Sequence, residues 1–318
     1  MKIPKYFISC DWGTTNFRLK VVESPSLKVI AEHSTDRGIK PLYQLYLDGK
    51  RKGQTQFFMD YLIQEVRKFK TQYQELLIVA TGMASSNMGL KELEYAPFPF
   101  SASGEDLLWK GISSRNELDV LLVSGVKGES GMMRGEEVQA IGLAEFLPPH
   151  GNGTLLLPGT HSKHLVYEFG KFVSLKNFMT GELFEVLLKN SILANSVVAG
   201  PLLKSGRKAF LDGLGKGALG GLGANLLSVR ANHLLNGCSK SDNYYFLSGL
   251  LIGEEVGYLK DESGKVFLAA PQAVLELYKL ALENILAEDR LVCFDGQALE
   301  KAVLIGHRKI LSNYLNAK

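Results

Sequence analysis

Cysteine is scarce in this sequence, and its few copies are scattered. The 318 residues include three cysteines, Cys10, Cys238 and Cys293, and no two of them form a Cys-x-x-Cys pair. Disulfide frameworks and cysteine-ligated zinc sites both need cysteines at short, regular spacings. The sequence therefore indicates neither.

Long apolar runs are also lacking. The apolar stretch 6–10 is too short for a signal peptide, and the run Leu155-Leu156-Leu157 stops at Pro158. A membrane-spanning helix needs roughly 20 consecutive apolar residues. We therefore expect a cytoplasmic protein that has no membrane partner.

Neither sign of charge is in large excess. The sequence has 36 Lys+Arg against 33 Asp+Glu, a formal net charge of +3, whereas nucleic-acid-binding domains concentrate basic residues. We therefore expect no nucleic-acid partner.

Hydrophobic residues make up 46% and charged residues 22% of the chain, which is typical of globular proteins. A chain of 318 residues favours two domains over one.

The first predicted domain, 1–149, is of the α/β type. Strands at 6–10, 17–23 and 28–34 are expected to form an antiparallel meander, and a polar loop containing Asp48-Gly49 follows. Apolar residues at helical spacing over 57–69 predict a helix. The remaining predicted elements are a strand at 76–80, a helix at 104–114, a strand at 120–123 and a helix at 136–146.

The second predicted domain, 150–318, restarts this order. Strands are expected at 154–157, 164–169, 172–177, 266–269 and 291–294, and helices at 182–190, 205–218, 224–236, 242–259, 272–287 and 297–315. Both halves open with three strands and place a Gly-Thr turn after the first strand. We therefore predict duplicated α/β domains with a cleft between them, with the terminal helix free to pack back on the first domain.

The turn after the first strand is a candidate phosphate and metal site. It reads Asp11-Trp12-Gly13-Thr14-Thr15-Asn16. Gly13, Thr14 and Thr15 can present N–H and hydroxyl donors to a phosphate, while Asp11 can hold Mg²⁺ through its water shell. An ordinary hairpin with an Asx-type turn is the alternative that this segment leaves open.

A second turn of the same kind lies in the other half. It offers phosphate-binding candidates at Gly159, Thr160, His161, Ser162 and Lys163. Two such hairpins facing one another would form a nucleotide clamp. His161 and His164 lack a third ligand of suitable spacing, so we expect no zinc site.

Two carboxylates follow a glycine in the segment Gly135-Glu136-Glu137. In a kinase, one carboxylate must accept the proton of the attacking hydroxyl, and a Glu at a helix start is suited to that task. Carboxylates in a first helical turn also gain from the helix dipole, so simple helix stabilisation is the alternative.

Four segments, in this order, resemble the 2-dehydro-3-deoxygalactonokinase family: 11–18, 132–139, 158–163 and 179–183. The stretches 81–83, 86–89 and 246–253, together with Glu255, add to the match. The resemblance implies the actin/hexokinase/Hsp70-like (ribonuclease H-like) fold, with ATP and Mg²⁺ as cofactors. It also implies a sugar-acid substrate, 2-dehydro-3-deoxy-D-galactonate, phosphorylated on its 6-hydroxyl. A homodimer is left open.

The same resemblance implies roles for individual residues. Segment 135–140 is similar to the Gly-Asp-Gln-Gln-Ala-like stretch of the glycerol and xylulose kinases, which makes Glu136 the candidate base and Glu137 its alternative. Gly249 joins the nucleotide-binding residues. The candidate substrate-binding residues are Asn16, Arg18, Gly82, Met83, Asn87, Arg134, Thr180, Gly181 and Glu182.

A 2-keto acid carries a permanent negative charge that a closed site must pair. Arginine suits a carboxylate best because its guanidinium donates in a bidentate fork. We favour Arg134, next to the candidate base, and keep Arg18 as the alternative.

Two glycine or alanine features affect the nucleotide assignment. The glycine-rich stretch 213–223 follows no predicted strand and lacks the Gly-Lys-Ser/Thr ending of a P-loop, so we interpret it as a flexible connection between helices. Ala269-Ala270-Pro271 stands where the family tends to have a glycine-containing turn near the nucleotide base, which leaves nucleotide preference open.

Two alternative functions stay open. One is a kinase of another 2-keto-3-deoxy sugar acid, for example 2-keto-3-deoxygluconate, and the other is a non-catalytic nucleotide-responsive regulator.

Overall fold

A computed structural model describes residues 2–49, 53–114, 118–129 and 131–317. The chain divides into two compact units built from interleaved segments. The first unit contains 1–151, 167–175 and 297–318, and the second contains 152–166 and 176–296. The sequence predicts instead a single domain boundary between residues 149 and 150, and this boundary stays a prediction.

The first half of the chain alternates short strands with a few helices. Its elements are β1 (Tyr6–Trp12), β2 (Phe17–Glu23), β3 (Val29–Thr35), α1 (Ile39–Asp48), α2 (Gln54–Val66), β4 (Ile78–Gly82), β5 (Ala96–Pro97), β6 (Phe100–Ser101), β7 (Trp109–Ser113), β8 (Asp119–Val123), β9 (Val126–Lys127), β10 (Met132–Met133) and α3 (Glu136–Leu143).

The second half opens with strands and is then mainly helical. Its elements are β11 (Asn152–Leu157), β12 (Ser162–Glu168), β13 (Lys171–Phe178), α4 (Thr180–Asn190), α5 (Lys204–Ala218), α6 (Leu222–Leu235), α7 (Lys240–Val256), β14 (Lys265–Ala269), α8 (Gln272–Ile285), β15 (Leu291–Phe294) and α9 (Gly296–Asn316). Within the described ranges, no helix is long and apolar enough to cross a membrane.

The main sheet of the first unit has the strand order β3-β2-β1-β4-β8-β7. Strands β1, β2 and β3 pair antiparallel, whereas β4 and β8 continue the sheet parallel to β1. Alternate residues of β2 face the core, since Phe17, Leu19 and Val21 are fully buried. They pack with Trp12 and with Phe58 of α2. This core holds the carboxyl ends of β1 and β4 in place.

The second large sheet has the order β15-β14-β11-β12-β13-β6. β14 lies between β11 and β15 and pairs parallel to both. The tip of the β12–β13 hairpin counts with the first unit, where Phe172 pairs with Phe100 of β6. A smaller sheet has the order β10-β9-β5.

The terminal helix α9 belongs to the first unit from residue 297 onward. Its buried His307 lies within hydrogen-bond distance of two strand hydroxyls, with Nδ1 2.8 Å from Ser9 Oγ and Nε2 2.9 Å from Thr81 Oγ1. Desolvation lowers the pKa of His307 to about 3. The neutral ring therefore ties β1 to β4 two residues before Asp11 and one residue before Gly82.

Most elements lie where the sequence predicts them. Strands 17–23 and 291–294 are confirmed at both ends, and the helices of the second half begin and end within a few residues of their predicted bounds. The predicted helix at 104–114 is wrong. Gly104 has a positive φ of 77°, and β7 (Trp109–Ser113) pairs with β8 as an edge strand.

Helix α1 lies in a stretch that the sequence predicts to be a loop. Pro41 is the third residue of α1, and proline is tolerated in a first turn because those N–H groups have no partner within the helix.

The glycine-rich stretch is not a flexible connection over 213–218, because these residues belong to α5. A Cβ on Gly213 would collide with the Phe246 carbonyl oxygen, and one on Gly217 with that of Leu250. On α7, a Cβ on Gly249 would collide with the Phe210 carbonyl oxygen. The glycines therefore let α5 and α7 pack backbone against backbone.

We expect opposite effects of alanine at two glycines of this helix pair. Gly249→Ala forces α5 and α7 apart and should lower the free energy of unfolding by about 1–3 kcal/mol. Gly215→Ala is the matched control, because its Cβ would meet nothing within 4 Å; it should raise the same quantity by about 0.5–1 kcal/mol. Denaturant unfolding measures both. Equal effects of the two substitutions would contradict this packing.

Candidate active site

The carboxyl ends of β1 and β4 lie side by side in the first unit. Asp11 pairs with Thr81, and Trp12 pairs with Gly82, in this parallel register. Open α/β sheets bind their ligands outside the carboxyl ends of their strands. Asp11 and the segment that follows Gly82 therefore occupy an edge suited to a ligand.

Two glycines let the start of α3 approach these strand ends. Gly82 and Gly135 both have positive φ, at 77° and 115°. A Cβ on Gly82 would lie 2.8 Å from the Trp12 carbonyl oxygen, and one on Gly135 would lie 3.4 Å from Gly82 Cα. Side chains at these positions would be strained and crowded, so glycine permits the close approach.

Asp11 lies in a charged setting. Its carboxylate is 3.2 Å from Arg18 Nη1, and its side chain keeps 37% of its exposure. Surrounding protein still desolvates the carboxyl enough to raise its pKa; the Glu136 charge adds to this effect and Arg18 opposes it. The pair Asp11 and Glu136 would thus gain from a cation. Within the described ranges, no group of three or more His, Cys, Asp or Glu side chains forms a metal site.

The two carboxylates that begin α3 have different surroundings. Glu137 is fully buried, and its oxygens accept from the Gly135 N–H at 2.8 and 2.7 Å. Burial, and then repulsion from Glu136, raise the pKa of Glu137 to about 8, so it carries a proton at neutral pH. Glu136 is half-buried and accepts from the Arg134 N–H at 3.1 Å. Of the two, Glu136 is the one that solvent reaches.

Arg134 is held from two sides. Its Nη1 donates to the carbonyl oxygen and to the hydroxyl of Ser85, both at 2.6 Å. Its guanidinium carbon lies 4.1 Å from the centre of the Tyr95 ring, a cation–π contact. The charged group is therefore fixed next to the start of α3.

The remaining candidates of the first unit lie in the loop after β4 and in the first turn. Asn87 is exposed, and its carbonyl oxygen accepts from Gln54 Nε2 at 2.8 Å. Met83 is partly buried against the core. Asn16 and Arg18 are both exposed.

The first turn rests on the start of helix α1. Thr14 and Thr15 are exposed, while their carbonyl oxygens accept from the N–H groups of Lys40 and Gly38 at 3.0 and 2.9 Å. A Cβ on Gly38 would collide with the backbone of these two threonines. The helix start thus fixes the orientation of the peptide groups in the turn.

The second turn is built in the same way. Gly159, Thr160 and His161 are exposed, and the Thr160 carbonyl oxygen accepts from the Glu182 N–H at 3.0 Å. A Cβ on Gly181 would collide with the Gly159 carbonyl oxygen. The His161 ring also hydrogen-bonds the Glu182 carboxylate. Residues 180–182, which the sequence assigns to the substrate, therefore lie beside a predicted phosphate turn.

Three predicted phosphate-binding residues lie below the exposed surface. Ser162 is fully buried, with its hydroxyl 3.2 Å from that of Tyr278. Lys163 is 4% exposed, and its Nζ donates to the His161 carbonyl oxygen at 2.7 Å. Gly249 is buried where α7 meets α5. These positions argue against direct phosphate contact, because each group is turned to protein; Ser162 and Lys163 support the turn from beneath.

A pocket of about 130 Å³ opens beside the second turn. It is lined by Gly159 and Thr180, by Tyr244 and Leu251 of α7, and by Leu277 of α8. Apolar walls with a few polar groups are typical of sites for small organic ligands. The segment Ala269-Ala270-Pro271 comes directly before α8.

Sequence reasoning missed several residues of these sites. Gly38 was overlooked because α1 was predicted to be a loop. Ser85 lies between the stretches 81–83 and 86–89 that carry the resemblance, and belongs to neither. Tyr95 and Tyr278 meet their partners only in the folded chain, and nothing in their spacing indicates it.

Comparison with known proteins decides the family. A family model described as 2-keto-3-deoxy-galactonokinase matches residues 11–306. The chain belongs to the 2-keto-3-deoxy-galactonokinase family. A Rhizobium meliloti (strain 1021) protein described as a 2-dehydro-3-deoxygalactonokinase is 30% identical over 293 residues, which cover 88% of this chain and 89% of that protein.

Two further comparisons agree with this family. The 2-dehydro-3-deoxygalactonokinase of Escherichia coli (strain K12) is 29% identical over 262 residues, 80% of each chain. A crystal structure from Sinorhizobium meliloti, described as a 2-dehydro-3-deoxygalactonokinase protein, has a TM-score of 0.77 at 27% identity and covers 94% of each chain. The predicted 2-dehydro-3-deoxygalactonokinase family, the α/β fold class and the kinase activity are confirmed.

Proposed function

We propose that this kinase transfers the γ-phosphoryl group of ATP to the 6-hydroxyl of 2-dehydro-3-deoxy-D-galactonate, with Mg²⁺ as the metal. Family membership over residues 11–306 supports the substrate. The structural observation that carries the mechanism is a half-buried carboxylate, Glu136, at the start of α3 and close enough to Asp11 to affect its pKa.

Glu136 is the proposed base. It takes the proton of the 6-hydroxyl while the oxygen bonds to the γ-phosphorus and the bond from that phosphorus to the ADP oxygen breaks. Glu137 is less suited to this role, since it is fully buried and its raised pKa of about 8 favours the protonated form at neutral pH. Its hydrogen bonds with Gly135 instead hold the helix start in shape.

The exposed turns are the proposed phosphate sites. Thr14 and Thr15 in the first unit, and Gly159, Thr160 and His161 in the second, are exposed and carry N–H or side-chain donors. Gly13 is half-buried and donates its N–H to the Asn16 carbonyl oxygen, so its proposed part is to shape the first turn. Because N–H groups at a helix start donate to the carbonyl oxygens of Thr15 and Thr160, the fold itself orients the backbone of each turn without a ligand. Preorganised donors stabilise developing charge without reorganisation at the moment of reaction.

Asp11 is the proposed holder of Mg²⁺. Its carboxyl is partly exposed and desolvated enough to raise its pKa, so a nearby cation would stabilise its charged form. Bound Mg²⁺ would neutralise charge on the transferred phosphoryl group. Magnesium keeps several waters in most protein sites, so one carboxylate together with ATP phosphates is a reasonable ligand set.

Arg134 is the proposed partner of the substrate carboxylate. Ser85 and Tyr95 fix its position, and its backbone N–H is bonded to the proposed base. It therefore holds a positive charge at a set distance from the reacting group. Gly82, Met83, Asn87 and Asn16 remain proposed as further contacts to the sugar acid.

The pocket beside the second turn is the proposed site of the adenosine group. It adjoins Gly159 of a proposed phosphate turn and has apolar walls from Leu251 and Leu277. A nucleotide placed there would have its phosphates next to the turn. Since ATP is available inside cells, we propose the cytoplasm as the location; a homodimer stays a prediction.

The base assignment predicts a difference between two neighbouring glutamates. Glu136→Gln should lower kcat by about 10²–10⁴-fold while the Kd for ATP changes little. Glu137→Gln is the matched control. Glutamine mimics the protonated acid that burial already enforces, so kcat at pH 7 should stay near that of the wild type. Coupled ADP release measures kcat for both variants. A large loss of kcat in Glu137→Gln, with little loss in Glu136→Gln, would move the base to Glu137.

The carboxylate assignment predicts a change in one Michaelis constant. Arg134→Lys keeps the charge but loses the planar fork, so KM for the sugar acid should rise about tenfold while KM for ATP stays close to the wild-type value. Arg18→Lys, the same change at the alternative position, should affect KM for the sugar acid less. Equal rises in both constants, or a larger effect at Arg18, would assign the carboxylate elsewhere.

A further inference from the structure

A buried chain of polar side chains runs through the second unit, away from the proposed reacting groups. His164 Nδ1 lies 2.8 Å from the Tyr258 hydroxyl, and its Nε2 lies 2.9 Å from Glu255 Oε1. The side chains of His164 and Glu255 are both 1% exposed. Neither residue has a part in the mechanism above.

The chain continues to the second turn. Tyr278 donates its hydroxyl proton to Glu255 Oε2 at 2.7 Å. The same hydroxyl lies 3.2 Å from Ser162 Oγ, and the nearby Thr180 side chain opposes the burial that raises the pKa of Tyr278. Ser162 is the first residue of β12, directly after the turn, and Thr180 is the first residue of α4.

The direction of these hydrogen bonds follows from the Tyr278 hydroxyl, which donates its one proton to Glu255 Oε2. Its oxygen then has lone pairs to accept from the hydroxyls of Ser162 and Thr180. A buried carboxylate is costly unless it is fully paired, and here His164 occupies one oxygen and Tyr278 the other. Glu255 thereby fixes both the place and the acceptor role of the Tyr278 oxygen.

Two segments that form the proposed nucleotide site meet at this oxygen. Ser162 follows the exposed turn residues Gly159 and Thr160. Thr180 begins the helix α4, whose Glu182 N–H donates to the Thr160 carbonyl oxygen of the turn. The side chain of Tyr278 also lines the adjoining pocket, as do Gly159 and Thr180.

We propose that Glu255, oriented by His164, is a positioning residue for nucleotide binding, which acts through the Tyr278 hydroxyl to fix the second turn against α4. The proposal rests on the proposed function, since it takes the pocket beside this turn as the ATP site. A network with only a structural role would change the stability of the second unit without changing the affinity of folded molecules for ATP.

The direct test is Tyr278→Phe, which keeps the ring in the pocket and removes the hydroxyl. Titration calorimetry should show the Kd for ATP raised about three- to tenfold, with KM for the sugar acid within twofold of wild type. Tyr245→Phe is the matched control. Tyr245 lies in the same core and donates to the Gly200 carbonyl oxygen at 2.6 Å, without a bond to the turn, so its Kd should be unchanged.

A second measurement needs no nucleotide. Hydrogen exchange should be faster in Tyr278→Phe at the amides of the turn and the α4 start, 159–164 and 179–183, than in wild type or Tyr245→Phe. Glu255→Gln keeps one acceptor oxygen and should show a smaller change in both measurements, which also covers the case that Tyr278→Phe fails to fold.

The outcomes separate the two claims. Wild-type Kd and unchanged exchange in Tyr278→Phe, or in Glu255→Gln if only that variant folds, would overturn the positioning role. Equal weakening in Tyr245→Phe would overturn it too. Failure of the proposed function would show in the wild-type protein, as an absence of ATP binding, and that result would remove both proposals even if exchange changed as expected.

Discussion

The backbone contact between Gly82 and Gly135 is the constraint on which the proposed reacting groups depend. Both residues have positive φ, and side chains at these positions would meet the backbone of β1 or of Gly82 itself. Without that approach, Glu136 would not lie near Asp11. The backbone of Arg134, from which its guanidinium extends, would also lie elsewhere. The different surroundings of the two glutamates follow from it: Glu137 is buried, which raises its pKa, while Glu136 stays accessible to solvent.

The two halves share a physical solution that their residues do not reveal. In each, a Gly-Thr turn follows the first strand, and at least one N–H group at the start of a helix donates to a carbonyl oxygen of that turn. In each, a glycine at the helix start, Gly38 or Gly181, makes room for the turn backbone. Because the contact is made by backbone groups, it limits the sequence only at the glycine, which explains why the duplication is visible in architecture rather than in identity.

Sequence reasoning reached the strands, most helices and the two turns, because apolar periodicity and glycine signals are local. It failed where tertiary contacts decide. Helix α1 carries Pro41 in its first turn, and Trp109 belongs to an edge strand that needs β8 as its partner. The burial of individual side chains could not be predicted from the sequence either. Ser162 and Lys163 look like phosphate ligands in the sequence, yet the fold places them beneath the turn. The choice between Glu136 and Glu137 also depended on burial.

The product of the reaction tests the account most directly. Wild-type enzyme, ATP, Mg²⁺ and 2-dehydro-3-deoxy-D-galactonate are incubated, and the product is examined by proton-coupled phosphorus NMR. Phosphate on the primary 6-hydroxyl couples to the two protons of that carbon, so the account predicts a new phosphomonoester triplet that appears together with ADP. A doublet, which indicates phosphate on a secondary hydroxyl, or no phosphomonoester while 2-keto-3-deoxygluconate is turned over, would contradict it.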